Sequence, residues 1–161
     1  MEHAMEHAMP VASPRSVEAQ LEVVPDEECL TLLRLGDIGR IAFVLEGLPI
    51  ILPVNYRVVS DDAGMWIMLR TRPGNSIDRA PEHVAFETDG IDHERQRGWS
   101  VLVRGAIHHM DHNEVELFNR RYDPKPWPQS ERTSWLAIKP QTITGRRLES
   151  PNHEWTFPSR A

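Results

Sequence analysis

Six apolar runs rich in Val, Ile and aromatic residues follow one another along this chain, and most of them are separated by turn signals instead of helices. "GRIAFVLE" and "LPIILPVNYRVV" flank the turn "EGLP", and "SDDAG" leads into "MWIMLRT"; then come "EHVAFETDGID", "GWSVLVRGAIHHM" and "SWLAIKPQTITGRRLE". Enrichment in β-branched and aromatic residues between Gly, Pro and Asp clusters is the mark of strands. In the fourth run Val84 and Phe86 share a side, and in the fifth Val101, Val103 and Ile107 do, with Gly105 between them. The last run reads as a strand pair or one bent strand, because Pro140 interrupts it. Without strand–helix–strand alternation a parallel doubly wound sheet is disfavoured. A closed antiparallel barrel of about six strands, mainly β with short helices at its edges, is expected.

Two or three short helices complete the picture. "PDEECLTLLRLGDIG" has acids in its first turn, Leu30 and Leu33 on a shared face and Gly36 at its stop, and "HNEVELFNRRY" has helical character. The opening repeats MEHA and then runs through Pro and Ser without periodicity, so residues 1–20 read as a disordered tail, 21–150 as one domain and 151–161 as a C-terminal tail. A net charge of -6 argues against a nucleic-acid partner. No apolar run approaches the roughly 20 residues of a membrane span, and the single cysteine, Cys29, suits a reducing compartment, so a cytoplasmic protein is expected. Within its helix Cys29 reads as a buried, unreactive thiol.

The densest chemistry lies in "RTRPGNSIDRA", residues 70–80, directly after the third strand. Arginine forks, hydroxyls and free backbone N–H groups are what hold a phosphate dianion, while Pro73 and Gly74 equally suit a solvated turn. The other candidates are weaker. "HHMDH" spaces His108, Asp111 and His112 as zinc ligands would be on a helix, but the stretch straddles a strand end and a helix start, where such residues serve as caps. Ser100 in "GWSVL" lacks the second glycine of a nucleophile elbow, and neither a dinucleotide-binding glycine motif nor a P-loop is present. No side chain is therefore nominated as catalytic. A barrel with a phosphate seat but no dyad of its own suits a phosphorylated aromatic cofactor that carries the reaction.

Seven strings in order, "GRIAF", "LPVNY", "MWIMLRTRPGNSID", "HVAFETDGID", "GWSVLVRG", "KPWPQSER" and "ITGRRL", resemble the flavin-binding split-barrel proteins related to pyridoxamine 5'-phosphate oxidase, over about residues 25 to 149. The resemblance implies a six-stranded antiparallel split barrel, a homodimer with FMN in a groove at the subunit interface, and an oxidoreductase acting on a small-molecule substrate. It places the phosphate on the loop after the third strand, where Arg70, Thr71 and Gly74 match the family pattern while Asn75 and Ser76 stand where Ser and Lys are usual. The missing lysine removes a charge facing the phosphate, which Arg72 or Arg79 is positioned in sequence to replace. By the same resemblance Pro53, Val54, Asn55 and Tyr56 run beside the flavin ring and offer it backbone hydrogen bonds. Trp99, Ser100 and Val101 match the strand on the cofactor's other side, and Trp127 matches a tryptophan near the ring; Arg146 is a weaker candidate. The ending "LESPNHEWTFPSRA" has nothing like the basic substrate-clamping tail of a vitamin B6 oxidase. Two alternatives stand beside FMN: the deazaflavin F420, whose longer anionic tail suits Arg72 and Arg79, and a non-catalytic flavin or haem module, for which five histidines (His83, His93, His108, His109, His112) supply ligands but no placed axial one.

Overall fold

Alternation of side chains across a pleat gives each of these runs one inward face. A computed structural model of the chain describes residues 20–61, 64–95, 97–121 and 134–149. In chain order its elements are β1 (Gln20–Val24), α1 (Asp26–Leu35), β2 (Ile38–Leu45), β3 (Leu48–Asp61), β4 (Gly64–Thr71), β5 (His83–Asp92), β6 (Arg97–His109), α2 (His112–Arg121) and β7 (Ser134–Glu149). Six strands close on themselves in the order β7-β4-β3-β2-β5-β6, with β6 returning to β7, and all pairings are antiparallel. This is the expected six-stranded barrel. β1 is an addition that the pattern "QLEVV" was too short to announce; it pairs with the far half of β7, from Gln20↔Glu149 to Val24↔Gly145.

The last run is one bent strand, and its length splits the barrel. Its first residues, Ser134 to Ile138, pair with β4, its last pair with β1, and β6 accompanies both parts. Between Arg104↔Thr142 and Gly105↔Pro140 the register shifts, leaving Gln141 as a bulged residue. The extra residue flips the alternation, so Leu136 and Ile138 point inward before it and Ile143 and Gly145 after it. Pro140 sits at the irregularity, where a missing N–H costs little.

The core is the barrel interior plus α1. Ile41, Tyr56, Ile67, Leu69, Phe86, Val101, Val103 and Leu136 form one cluster with Cys29, Leu32 and Leu33 of the helix, which packs against β3, β6 and β7. The Tyr56 hydroxyl donates to the Leu33 carbonyl at 2.7 Å, and its ring meets Phe86 edge-on at 4.8 Å. Burial pushes the Cys29 thiol pKa up, which keeps it a packing group. α1 ends because Gly36 turns extended (φ -79, ψ 156), not through a left-handed cap. Outside the barrel, α2 lays Val115 and Phe118 over Met68, Trp135 and Ala137. Its start is a reciprocal cap: Asp111 accepts from the Glu114 N–H at 2.9 Å and Glu114 from the Asp111 N–H at 2.8 Å. Asp111 is thus a helix cap, as its position between strand and helix implied.

Candidate functional site

The β2–β3 hairpin turns on Glu46 and Gly47, both at positive φ (54 and 81), which matches the twist of the flanking strands. A two-residue turn fixes the phase of the ladder beyond it. Pro49 and Pro53, opposite Val44 and Arg40, fall where backbone groups face away from β2, so neither removes a ladder bond. On that far side β4 joins β3 only from Tyr56, opposite Leu69. The stretch from Leu48 to Val54 therefore presents an edge with no ladder partner on the β4 side among the described residues, and the Pro53 carbonyl lies on it.

The same registers align an outward-facing row around the barrel. One step before Tyr56↔Leu69, Asn55 comes level with Arg70; Asn55 pairs with Ile38, and Asp89, Ser100 and Arg146 continue the row on β5, β6 and β7. At roughly 5 Å per strand, Arg70 and Asn55 are neighbours, while Ser100 lies about 15 Å from Asn55. Two clusters result. Pro53, Asn55, Arg70 and the loop that carries Asn75 and Ser76 form the first; Ser100, with Trp99 and Arg146, forms the second. Val54, Tyr56, Thr71, Trp99 and Val101 have side chains turned inward at 9% exposure or less, so Val54, Tyr56 and Val101 meet a ligand only through their backbones. Trp127 lies outside the described residues.

The loop after β4 is organised from within. Thr71 Oγ1 accepts from the Asn75 side-chain amide, and Asn75 Oδ1 accepts from the Asp78 N–H at 2.9 Å. Asp78 then binds back: its carboxylate accepts the Gly74 N–H at 2.6 Å and the Ser134 hydroxyl at 2.7 Å, with His109 Nδ1 3.5 Å away and His109 Nε2 3.1 Å from the Asp78 carbonyl. Gly74 adopts φ 76, the left-handed region where glycine is least strained. Arg70 lies outward with its guanidinium 5.2 Å over the Trp135 ring. Arg72 and Arg79 are exposed and have no carboxylate partner among the described residues. The loop and its stem thus carry three arginines and the Ser76 hydroxyl, groups of the kind that bind an anionic headgroup, although one carboxylate already uses part of the loop's donor set. Asp78 and Ser134 were missed in the sequence, where His109 was weighed only as a haem ligand, and only the Gly-x-x-x-Asp spacing hinted at the first.

The Gly74 N–H and the Ser134 hydroxyl hold the Asp78 carboxyl below its usual range, the first having the larger effect. Its stabilising contribution is full above the unfolded value of about 3.9 and drains away as pH falls through the lower folded value. Asp78→Asn is therefore expected to lose roughly 1–2 kcal/mol at pH 7 and to show a flatter fall in stability below about pH 4, read from urea unfolding at both pH values.

Near the second cluster, Trp99 lies against Gly90, where any Cβ would meet the indole nitrogen at 2.6 Å. Trp99, Ser100, Arg97, Arg146, Leu21 and Leu148 border a groove of about 690 Å³. Between the clusters Arg40 bridges Glu87 at 3.1 Å and Asp89 at 2.9 Å. Burial, then the nearby Asp89 charge, raises the Glu87 pKa.

A model of the family described as pyridoxamine 5'-phosphate oxidase matches residues 25–147. The uncharacterized protein Rv0080 of Mycobacterium tuberculosis is 34% identical over 145 residues, which cover 85% of this chain and 91% of that one. Among solved structures, the FAD binding protein from Mycobacterium smegmatis superposes with a TM-score of 0.63 at 29% identity, over 78% of this chain and 97% of that one. A conserved protein of unknown function, DIP1874 from Corynebacterium diphtheriae, reaches a TM-score of 0.67 at 22% identity, over 80% and 98%, and speaks to the fold alone. No helix among the described residues is long and apolar enough to cross a membrane.

Proposed function

Because this chain belongs to the pyridoxamine 5'-phosphate oxidase family, we propose that it is a flavin-dependent oxidoreductase that seats FMN on the outward row beside the β4 loop, within a homodimer. The observation that carries this reading is the meeting of Arg70, Asn55 and the open Pro53 edge at one place, next to a loop bearing Arg72 and Arg79. Arg70, Arg72, Arg79 and Ser76 hold the phosphate, and the Pro53 carbonyl accepts from the ring's polar edge. Bound there, the flavin supplies hydride transfer with a small substrate, while the protein contributes position and limits access of water.

The homodimer follows from reach. Ser100 and the Trp99 groove lie about 15 Å around the barrel from Asn55, so a second copy is the natural source of a wall for the open side of the first cluster. The outer face of the β2–β3 hairpin supports this, since it leaves Val44 57% and Ile51 68% exposed. A second cofactor reading, FAD, has its own support in the Mycobacterium smegmatis relative, and F420 draws on the same arginines.

Purified protein mixed with FMN, FAD and F420 in competition, with mass measured by light scattering, tests the proposal. Micromolar or tighter binding of FMN by a dimer is expected; a monomer, or a protein that ignores all three, overturns it.

A further inference from the structure

The loop assigned to the phosphate already contains an anion of its own. Asp78 takes the Gly74 N–H at 2.6 Å and the Ser134 hydroxyl at 2.7 Å, and His109 Nδ1 stands 3.5 Å from the same carboxylate oxygen as the serine. Donors at a glycine turn, a hydroxyl and an imidazole are the groups a phosphate oxygen seeks. The Asp78 side chain is 19% exposed, and its backbone is anchored from both ends, through its own N–H to Asn75 and its carbonyl to His109. At position 76, where the lysine of similar loops would offset this charge, the chain has an uncharged serine.

We propose that Asp78 is a specificity-determining residue that competes with the cofactor's phosphate for the Gly74 and Ser134 donors, so the protein binds the phosphate end of a flavin only by displacing it. This rests on the flavin reading of the site. Two consequences follow from charge alone. A dianion approaching the occupied loop meets a like charge within a few ångströms, which disfavours binding, and it finds the best backbone donor taken. A flavin without phosphate meets neither obstacle. The chain therefore discriminates between FMN and riboflavin less than the three arginines around the loop would otherwise make it.

The test titrates wild-type protein and Asp78→Asn with FMN and with riboflavin, following flavin fluorescence, while thermal melting checks that each variant is folded. Asp78→Asn keeps the shape and removes the charge. It is expected to bind FMN at least tenfold more tightly and riboflavin within twofold of wild type. Asp78→Ser, which removes the charge and shortens the side chain while leaving the Gly74 and Ser134 donors in place, is expected to shift FMN in the same direction, and it decides the matter if Asp78→Asn does not fold. Unchanged or weaker FMN binding in the folded variants overturns the proposal and leaves the flavin reading standing, as does an equal gain for FMN and riboflavin. If neither wild type nor variant binds any flavin, the flavin reading itself fails and takes this proposal with it.

Discussion

Gly105→Ala is expected to destabilise the protein by about 3 kcal/mol, the upper end of the usual range for forcing atoms into a packed interior, and to lower its melting temperature by roughly 6–12 °C. Gly105 is the β6 residue at the register shift, opposite Pro140, and it is buried. An added Cβ would collide with the Lys139 carbonyl oxygen, and would also lie 2.9 Å from its carbonyl carbon and 3.1 Å from the Pro140 Cα. These are backbone atoms. A flexible side chain could swing aside, but β7 cannot retreat at this point without losing its pairing with β4 on the other flank, from Ile67↔Ile138 onward. The damage spreads to the site, because the same segment of β7 leads to Trp135 under Arg70 and Ser134 on Asp78. A melting temperature within two degrees of wild type would show that β6 and β7 do not approach in this way.

The barrel was legible in the sequence because its cause is local. Strand alternation in "EHVAFETDGID" and "GWSVLVRGAIHHM" places Val84, Phe86, Val101 and Val103 inward whatever their neighbours are, and all four are buried. The turn "EGLP" similarly fixed a hairpin and its phase. β1 escaped because five residues beside an unpatterned tail carry too little period to be read. The bend of β7 was half visible: Pro140 signalled an interruption, but whether the chain turns back or bulges depends on β6, whose partner residues lie over 30 positions earlier.

At the site, residue types were legible and their commitments were not. Arg70, Thr71, Asn75 and Ser76 are the chemistry of a phosphate loop on paper. In the fold Thr71 faces inward and engages Asn75, while Arg70 faces outward over Trp135. Strand parity alone separates the two, since consecutive residues 70 and 71 of one strand must point to opposite sides. Asp78 was invisible for a different reason. Its partners Ser134 and His109 stand 56 and 31 residues away, and only closure of the barrel brings the starts and ends of β4, β6 and β7 together.

Arg70→Ala is expected to weaken FMN binding by roughly tenfold to a hundredfold, since one charge-assisted contact to phosphate is worth about 1.5–3 kcal/mol. Arg70 comes level with Asn55 at the end of the open β3 edge, and its stacking on Trp135 at 5.2 Å aims its fork instead of leaving it to sweep solvent. Loss of that stacking alone should cost stability no more than about 1 kcal/mol, so melting temperature separates a binding defect from a folding one. Arg70→Lys keeps the charge but loses the fork and the planar stack, and should recover only part of the affinity. Ser100→Ala is the informative partner. Ser100 lies about 15 Å around the barrel from Asn55, so a site built by one protomer would leave FMN affinity unchanged in that variant. A site shared across a two-fold interface brings a second copy's Ser100 into play, and the same substitution should then weaken binding several-fold with no change in fold. A silent Ser100 beside a sensitive Arg70 would confine the cofactor to the β3–β4 corner and remove the argument that this site needs two chains.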